Sequence, residues 1–242
     1  MKNHAPASTA KKLSFRDGFR AAVPVMVGYL PAGMTFGILA RGVPVHIADV
    51  IGFSGIVFAG ASQYMAINLL STGAAYIEII IATFLLNFRH FLMSASISLR
   101  LEEKRIGVLS GVAYGVTDET FSVAAAESRP LTASYLAGLG LFSWLSWNVG
   151  SIVGYLAGNY LPDRLEAAMG VALYALFAAL LLPQIKKSLM MGIFAATAAA
   201  LNYVLGLASF VSKGWSFVLA IILSALVGAT VLHFTEQQDR EE

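Results

Sequence analysis

The chain has 242 residues, 57% of them hydrophobic and only 12% charged, with a mean hydropathy of +0.72. Soluble domains carry about 25% charged residues, whereas here only Arg41, Asp49, Glu78 and Arg89 are charged between Ala21 and Leu99, so lipid must be the solvent for much of the surface. A net charge of +2 gives no basis for nucleic-acid binding, and the absence of cysteine excludes disulfides, thiolate metal sites and cysteine nucleophiles.

Residues 1–18 contain Lys2, Lys11, Lys12 and Arg16 but no short apolar core with a cleavage site, and read as a basic cytoplasmic tail. Apolar segments follow at about 21–40, 48–71, 76–99, 107–126, 131–158, 165–183, 188–211 and 215–234. A membrane-spanning helix needs about 20 such residues, and none of the segments has the alternation of an outer-membrane barrel strand. The expected fold is all-α: one polytopic transmembrane domain over 19–235, of about seven or eight helices, then a polar tail at 236–242. Eight spans with both termini inside place Arg129, Lys186, Lys187 and Arg240 with the basic tail, against Arg41, Arg100, Lys104, Arg105, Arg164 and Lys213 outside. The Arg100–Arg105 loop weakens that bias, and a seven-span chain with one re-entrant segment also fits. The expected location is the cytoplasmic (inner) cell membrane.

An internal repeat is faintly legible. Gly33-Met-Thr35 before Phe36 resembles Gly115-Val-Thr117 before Phe121, and Gly55 with Phe58 resembles Gly140 with Phe142. The nearly constant offset is that of two inverted three-helix units, 19–99 and 107–183, with extra helices over 188–234.

The first span carries Pro24, Gly28, Pro31, Gly33 and Gly37. Proline removes a backbone donor and crowds the preceding turn, so a kink or break is expected near Pro31. Its freed backbone groups would either contact a substrate or merely accompany close helix packing. In the second span Ser62 and Gln63 are polar within an apolar run, as interhelical glue or as a lining. Thr83, Asn87, His90, Ser94 and Ser98 recur at helical spacing in the third span and form a polar stripe. Arg89 lies about 200° round from Asn87 and is expected to point elsewhere, towards a partner of its own.

That partner is expected in the fourth span, where Thr117 precedes Asp118 and Glu119 well inside the apolar run. Charges at mid-membrane cost roughly 2.5–3.5 kcal/mol each on insertion scales and mark relays, pathways or ion pairs. Two adjacent acids need a cation, and Arg89 is the only basic residue deep in any span. Trp144, Trp147 and Asn148 in the fifth span read as packing. No nucleotide loop, metal-ligand motif, cofactor pattern or hydrolase elbow occurs, so no enzyme is expected.

Phe15-Arg-Asp-Gly-Phe19, Pro24…Gly28-x-x-Pro31-x-Gly33-x-x-Phe36-Gly37, Phe58-Ala-Gly-Ala-Ser-Gln63, Asn87-Phe-Arg-His90 and Thr117-Asp-Glu119 occur in this order. In these motifs the chain resembles the AzlC family, large subunits of two-component permeases that export branched-chain amino acids. The resemblance implies export of branched-chain or related apolar amino acids, coupled to the proton gradient, and a small membrane partner of the AzlD type. A homo-oligomer is left open. A passive channel or a structural subunit are the alternatives. The candidate pathway comprises Asp118, Glu119, Arg89, His90, Asn87, Ser62, Gln63, Pro31, Gly33 and Thr117.

Overall fold

The computed structural model describes residues 12–158 except 102 and 104, residues 189–207, and shorter stretches between 178 and 230. Tail residues 1–11 and 236–242, and most of the expected segment 165–183, lie outside the described residues. The described part is helical and polytopic.

Helix α1, Phe15–Arg41, begins inside the expected tail because Ser14 and Asp17 form a capping box: the Ser14 amide donates to the Asp17 carboxylate at 2.9 Å, and the Asp17 amide to the Ser14 hydroxyl. It runs unbroken through Pro24 and Pro31, so the break expected near Pro31 is absent. The Pro31 side chain lies on an exposed face, and the nearby carbonyls are taken: Thr35 donates to Pro31 O and Tyr64 to Ala32 O.

The rest of α1 is clamped against α7, Ala133–Ala157. Gly18 meets Tyr135, Gly33 meets Trp147, and Gly37 meets Ser151 and Tyr155, so the two helices run parallel. A Cβ at Gly37 would lie 2.0 Å from the Ser151 carbonyl oxygen, and one at Gly154 2.0 Å from that of Met34. Only glycine allows such backbone contact, the small-residue packing typical of membrane helices. Ser146 adds a hydrogen bond to Met26 O at 2.8 Å.

Helix α4, Tyr76–Leu99, runs the other way. Its C-terminal end lies where α1 and α7 begin: Leu101 pairs with Leu131, both pack with Leu13, and Arg100 donates to the carbonyls at Ala124, Ala125 and Glu127 that end a later helix. At 1.5 Å per residue these three helices reach roughly 36–40 Å, enough to cross a hydrocarbon core of about 30 Å.

The segments between them do not cross. Segment 48–71 is two helices, α2 (Ile47–Ile56) and α3 (Gly60–Ser71), and segment 107–126 is also two, α5 (Ile106–Tyr114) and α6 (Asp118–Ala126). Each leg is only about 14–18 Å long. Helix α2 starts beside the C-terminal end of α7, where Tyr155 donates to Val45 O at 2.9 Å, and stops at the middle of α7, where Trp144 donates to Gly55 O. Helix α3 returns antiparallel to α4, with Ser62 beside Asn87 at mid-helix and Ala66 and Leu69 packed with Ile79 and Ala82. Helices α5 and α6 share a core with Leu13, Ala22, Leu101 and Tyr135, at the opposite end from the core that α2 and α3 share with Phe36, Ala40 and Tyr155.

The result is two re-entrant hairpins, one from each end, which meet in the middle. Phe58 and Tyr114 pack with tilted rings, 6.2 Å between centroids, and the Tyr114 hydroxyl donates to Gly55 O. Two apolar segments expected to cross thus fold back at mid-depth. A spanning helix followed by a hairpin occurs twice in opposite senses. The glycine matches fall on unlike elements: Gly33 is in unbroken α1 and Gly115 at a break, Gly55 near a break and Gly140 in unbroken α7. Helix α8, Leu189–Leu207, is the fourth described helix with the length and composition to cross a membrane.

Candidate functional site

Both breaks have local causes. Helix α3 starts at Gly60, where a Cβ would lie 2.7 Å from the Trp147 ring, and no side chain caps it. Its first amides therefore remain as donors, at the positive end of the helix dipole. Helix α5 ends where Gly115 presses on Gly140, with 3.1 Å from an added Cβ to the Gly140 Cα. Helix α6 then starts from Thr117, whose hydroxyl accepts from the Thr120 amide while the Thr117 amide donates to Thr120 Oγ1 at 2.8 Å. Asp118 and Glu119 occupy its first turn, where the dipole favours carboxylates. Irregular backbone at membrane depth is tolerated where it is buried in protein or lines a cavity, and these breaks border one.

That cavity has a volume of about 430 Å³, within the range of small-molecule sites. Its wall takes Gly28 and Tyr29 from α1, Phe58, Ala59, Gly60 and Ala61 from the first hairpin, and Thr117, Asp118 and Glu119 from the second. Arg89 and His90 enter from α4 and Trp147 from α7. Most of the wall is apolar, and its polar groups converge at the two helix starts.

The charges are arranged in a definite way. Arg89 Nη2 lies 2.9 Å from Asp118 Oδ2, and both side chains are about one-third exposed. The same guanidinium holds Nε buried without a hydrogen-bond partner among the described residues. No salt bridge reaches Glu119 among the described residues. Its carboxylate accepts from the Tyr29 hydroxyl at 2.5 Å, and that hydroxyl lies 2.6 Å from Thr117 Oγ1. Tyr29 is held by edge-on contact with Trp147 at 5.3 Å.

The expected pathway residues therefore separate. Asp118, Glu119, Thr117, Arg89 and His90 share the cavity. Arg89, expected to point away from the polar stripe, reaches the same space as His90 because its long side chain spans the angle between them. Asn87, Ser62 and Gln63 lie off the cavity wall. Asn87 donates to Ser62 at 3.1 Å, Ser62 to Ala59 O at 2.9 Å, and Gln63 bridges Phe53 O and the Trp147 indole, so the three brace the first hairpin. Pro31 is on an exposed face and Gly33 is in the α1–α7 seam. Sequence reasoning missed Tyr29, whereas the small residues before Gln63 already suggested a close approach to the backbone there. The signal for the second break was present: Thr117 followed by two acids and Thr120 is a helix start.

The family model described as AzlC protein matches residues 24–161, a stretch that includes both hairpins and all the charged groups of the cavity. The chain belongs to the AzlC family. It is 35% identical over 181 residues to an uncharacterized membrane protein of Archaeoglobus fulgidus, covering 74% of this chain and 80% of that protein. It is 27% identical over 209 residues to the inner membrane protein YgaZ of Escherichia coli strain K12, covering 83% and 85%. With the branched-chain amino acid transport protein AzlC of Bacillus subtilis strain 168 it shares 24% over 180 residues, covering 72% and 69%. No solved structure matches the chain. This AzlC-family membrane protein carries its two cavity carboxylates at the mid-depth start of α6 and the arginine opposite them on the spanning helix α4.

Proposed function

We propose that this chain exports branched-chain or related apolar amino acids across the cytoplasmic membrane, driven by the proton gradient and working with a small AzlD-type membrane partner. The observation that carries the reading is the cavity at the meeting of the two hairpins, which offers both signs of charge within an apolar wall. A zwitterion needs an anion for its ammonium group, a cation or free amides for its carboxylate, and only apolar lining for an aliphatic side chain. Glu119 answers the first need. Arg89, with an unspent Nε donor, and the uncapped start of α3 at Gly60 and Ala61 answer the second. The printed name of the Bacillus subtilis relative supports the substrate class.

The distribution of basic residues supports a cytoplasmic N-terminus. Within residues 12–158, Lys12, Arg16, Arg20, Arg100, Arg105 and Arg129 gather at the end where α1 begins, and Arg41 alone lies at the other. Folding the second segment back at mid-depth puts the Arg100–Arg105 loop on the same side as the N-terminus, which removes the conflict met with eight crossings.

The test is efflux of radiolabelled leucine, valine and methionine from cells expressing the chain, with and without the small partner. Accelerated efflux that stops when the proton gradient is collapsed is the expected result. Efflux indifferent to the gradient would instead identify a passive channel, and no efflux from membranes containing the protein would remove the amino-acid assignment.

A further inference from the structure

We infer that Glu119 is a single site shared in turn by a proton and by the substrate's ammonium group, so that one excludes the other and the chain exchanges one for one. The inference rests on the amino-acid reading above and adds the group through which coupling occurs.

The cavity holds two carboxylates, Asp118 and Glu119, and one guanidinium, Arg89. Asp118 is taken by Arg89 at 2.9 Å. Glu119 is left with a neutral donor, the Tyr29 hydroxyl, on Oε2, and Oε1 has no hydrogen bond to any described residue. A net negative charge in a small, mostly apolar space is costly. His90 on α4 is the remaining titratable group of the wall, and it follows Arg89 directly, so a charge there would meet a like charge before it met Glu119. Neither α3 nor α7 contributes a charged side chain to the wall. The Glu119 carboxylate is therefore the open acceptor for whichever cation enters the cavity, a proton or the substrate's ammonium group.

One carboxylate cannot hold both. On the cytoplasmic side the protonated carboxyl gives its proton to water as the ammonium arrives, and a carboxylate–ammonium pair replaces the O–H bond. On the outer side a proton re-forms that bond and the ammonium leaves. One zwitterion moves out for each proton that moves in, so one positive charge enters per cycle and the membrane potential assists export. Tyr29 positions the carboxylate and Arg89 with the start of α3 receives the substrate carboxylate, so neither has to change charge.

The experiment uses the full-length chain, with any subunit that co-purifies, in lipid nanodiscs. Leucine binding is measured by calorimetry at several pH values in two buffers of different ionisation enthalpy. The expected result is release of about one proton per leucine where the carboxyl is protonated, with affinity falling about tenfold per pH unit below that point. Infrared difference spectra should show the carbonyl band of a protonated carboxyl group disappearing as leucine binds. In Glu119→Gln both signals should vanish and the residual weak binding should be independent of pH. Glu119→Asp should keep proton release, which controls for misfolding, and His90→Gln should also release a proton on binding, whatever the change in affinity from altering the cavity wall. Leucine binding without proton release, or release that persists in Glu119→Gln or disappears in His90→Gln, would overturn the inference while leaving the substrate assignment intact. Failure to bind leucine, valine or methionine would overturn both.

Discussion

The Tyr114 hydroxyl at the tip of one hairpin donates to the Gly55 carbonyl at the tip of the other, so the two half-depth elements are latched to each other across the middle of the protein. Gly55 O also accepts from the Trp144 indole of α7 at 3.2 Å, which ties the latch to a spanning helix. Any movement that opens the cavity between the hairpins has to break or carry this contact. Replacing Tyr114 by Phe keeps the ring packed against Phe58 and deletes only the latch. A single hydrogen bond contributes about 0.5–1.5 kcal/mol net, so Tyr114→Phe should fold with a slightly lower melting temperature in a fluorescence-detected chromatography assay. Substrate efflux should become faster or leakier rather than be lost.

The re-entrant arrangement makes a prediction about sides. The chain has no cysteine, so single cysteines can be introduced without background. His46→Cys and Ser71→Cys, at the two outer ends of the first hairpin, should both react with an impermeant maleimide from outside the cell. Ser14→Cys and Ser128→Cys should react only after the membrane is made permeable. Eight full crossings would instead put residues 46 and 71 on opposite sides, and that outcome would refute the hairpin.

The α1–α7 seam should tolerate nothing larger than glycine where the backbones touch. In Gly37→Ala or Gly154→Ala the new methyl falls 2.0 Å from a carbonyl oxygen, and because the neighbour is backbone it cannot rotate away. Overpacking of this kind costs about 1–3 kcal/mol or more, which should appear as a clear loss of thermal stability and of monodisperse protein. Gly107→Ala meets nothing within 4 Å and should leave stability unchanged. Equal behaviour of the three variants would mean that the helices do not pack in this register.

Arg89 and Asp118 should be coupled. Removing one member leaves the other's charge without its partner, whereas removing both leaves two neutral groups. Arg89→Gln and Asp118→Asn should each reduce stability and abolish transport, and the double variant should recover stability but not transport. A double-mutant cycle on melting temperature measures this directly, and additive losses would show that the 2.9 Å contact contributes nothing to folding.

How much of this was legible in the sequence can be judged at single residues. The Arg89–Asp118 contact follows from the scarcity of charge: one cation and two acids deep in apolar runs have few other places to go. Helix starts were written locally as well, in Ser14-x-x-Asp17 and in Thr117 before Asp118. A kink or break was expected near Pro31 because proline is the usual disruptor, yet α1 stays one helix: Thr35 of the same helix takes the Pro31 carbonyl, Tyr64 of α3 takes that of Ala32, and its glycines are clamped on α7. Gln63 looks like a lining residue until Trp147, 84 positions away, takes its oxygen.

The sequence by itself determined that this is an all-helical membrane protein and which residue types are too polar for lipid, because hydropathy and charge act residue by residue. Only the tertiary structure decided that segments 48–71 and 107–126 turn back instead of crossing. Their length and hydropathy suit either path, and the choice depends on which long helices they pack against: α7 and α4 meet the first hairpin at one end, and the start of α1 and the end of α4 meet the second at the other. The same packing, through distant contacts such as Tyr29 to Glu119, decided which of the candidate polar residues share one cavity.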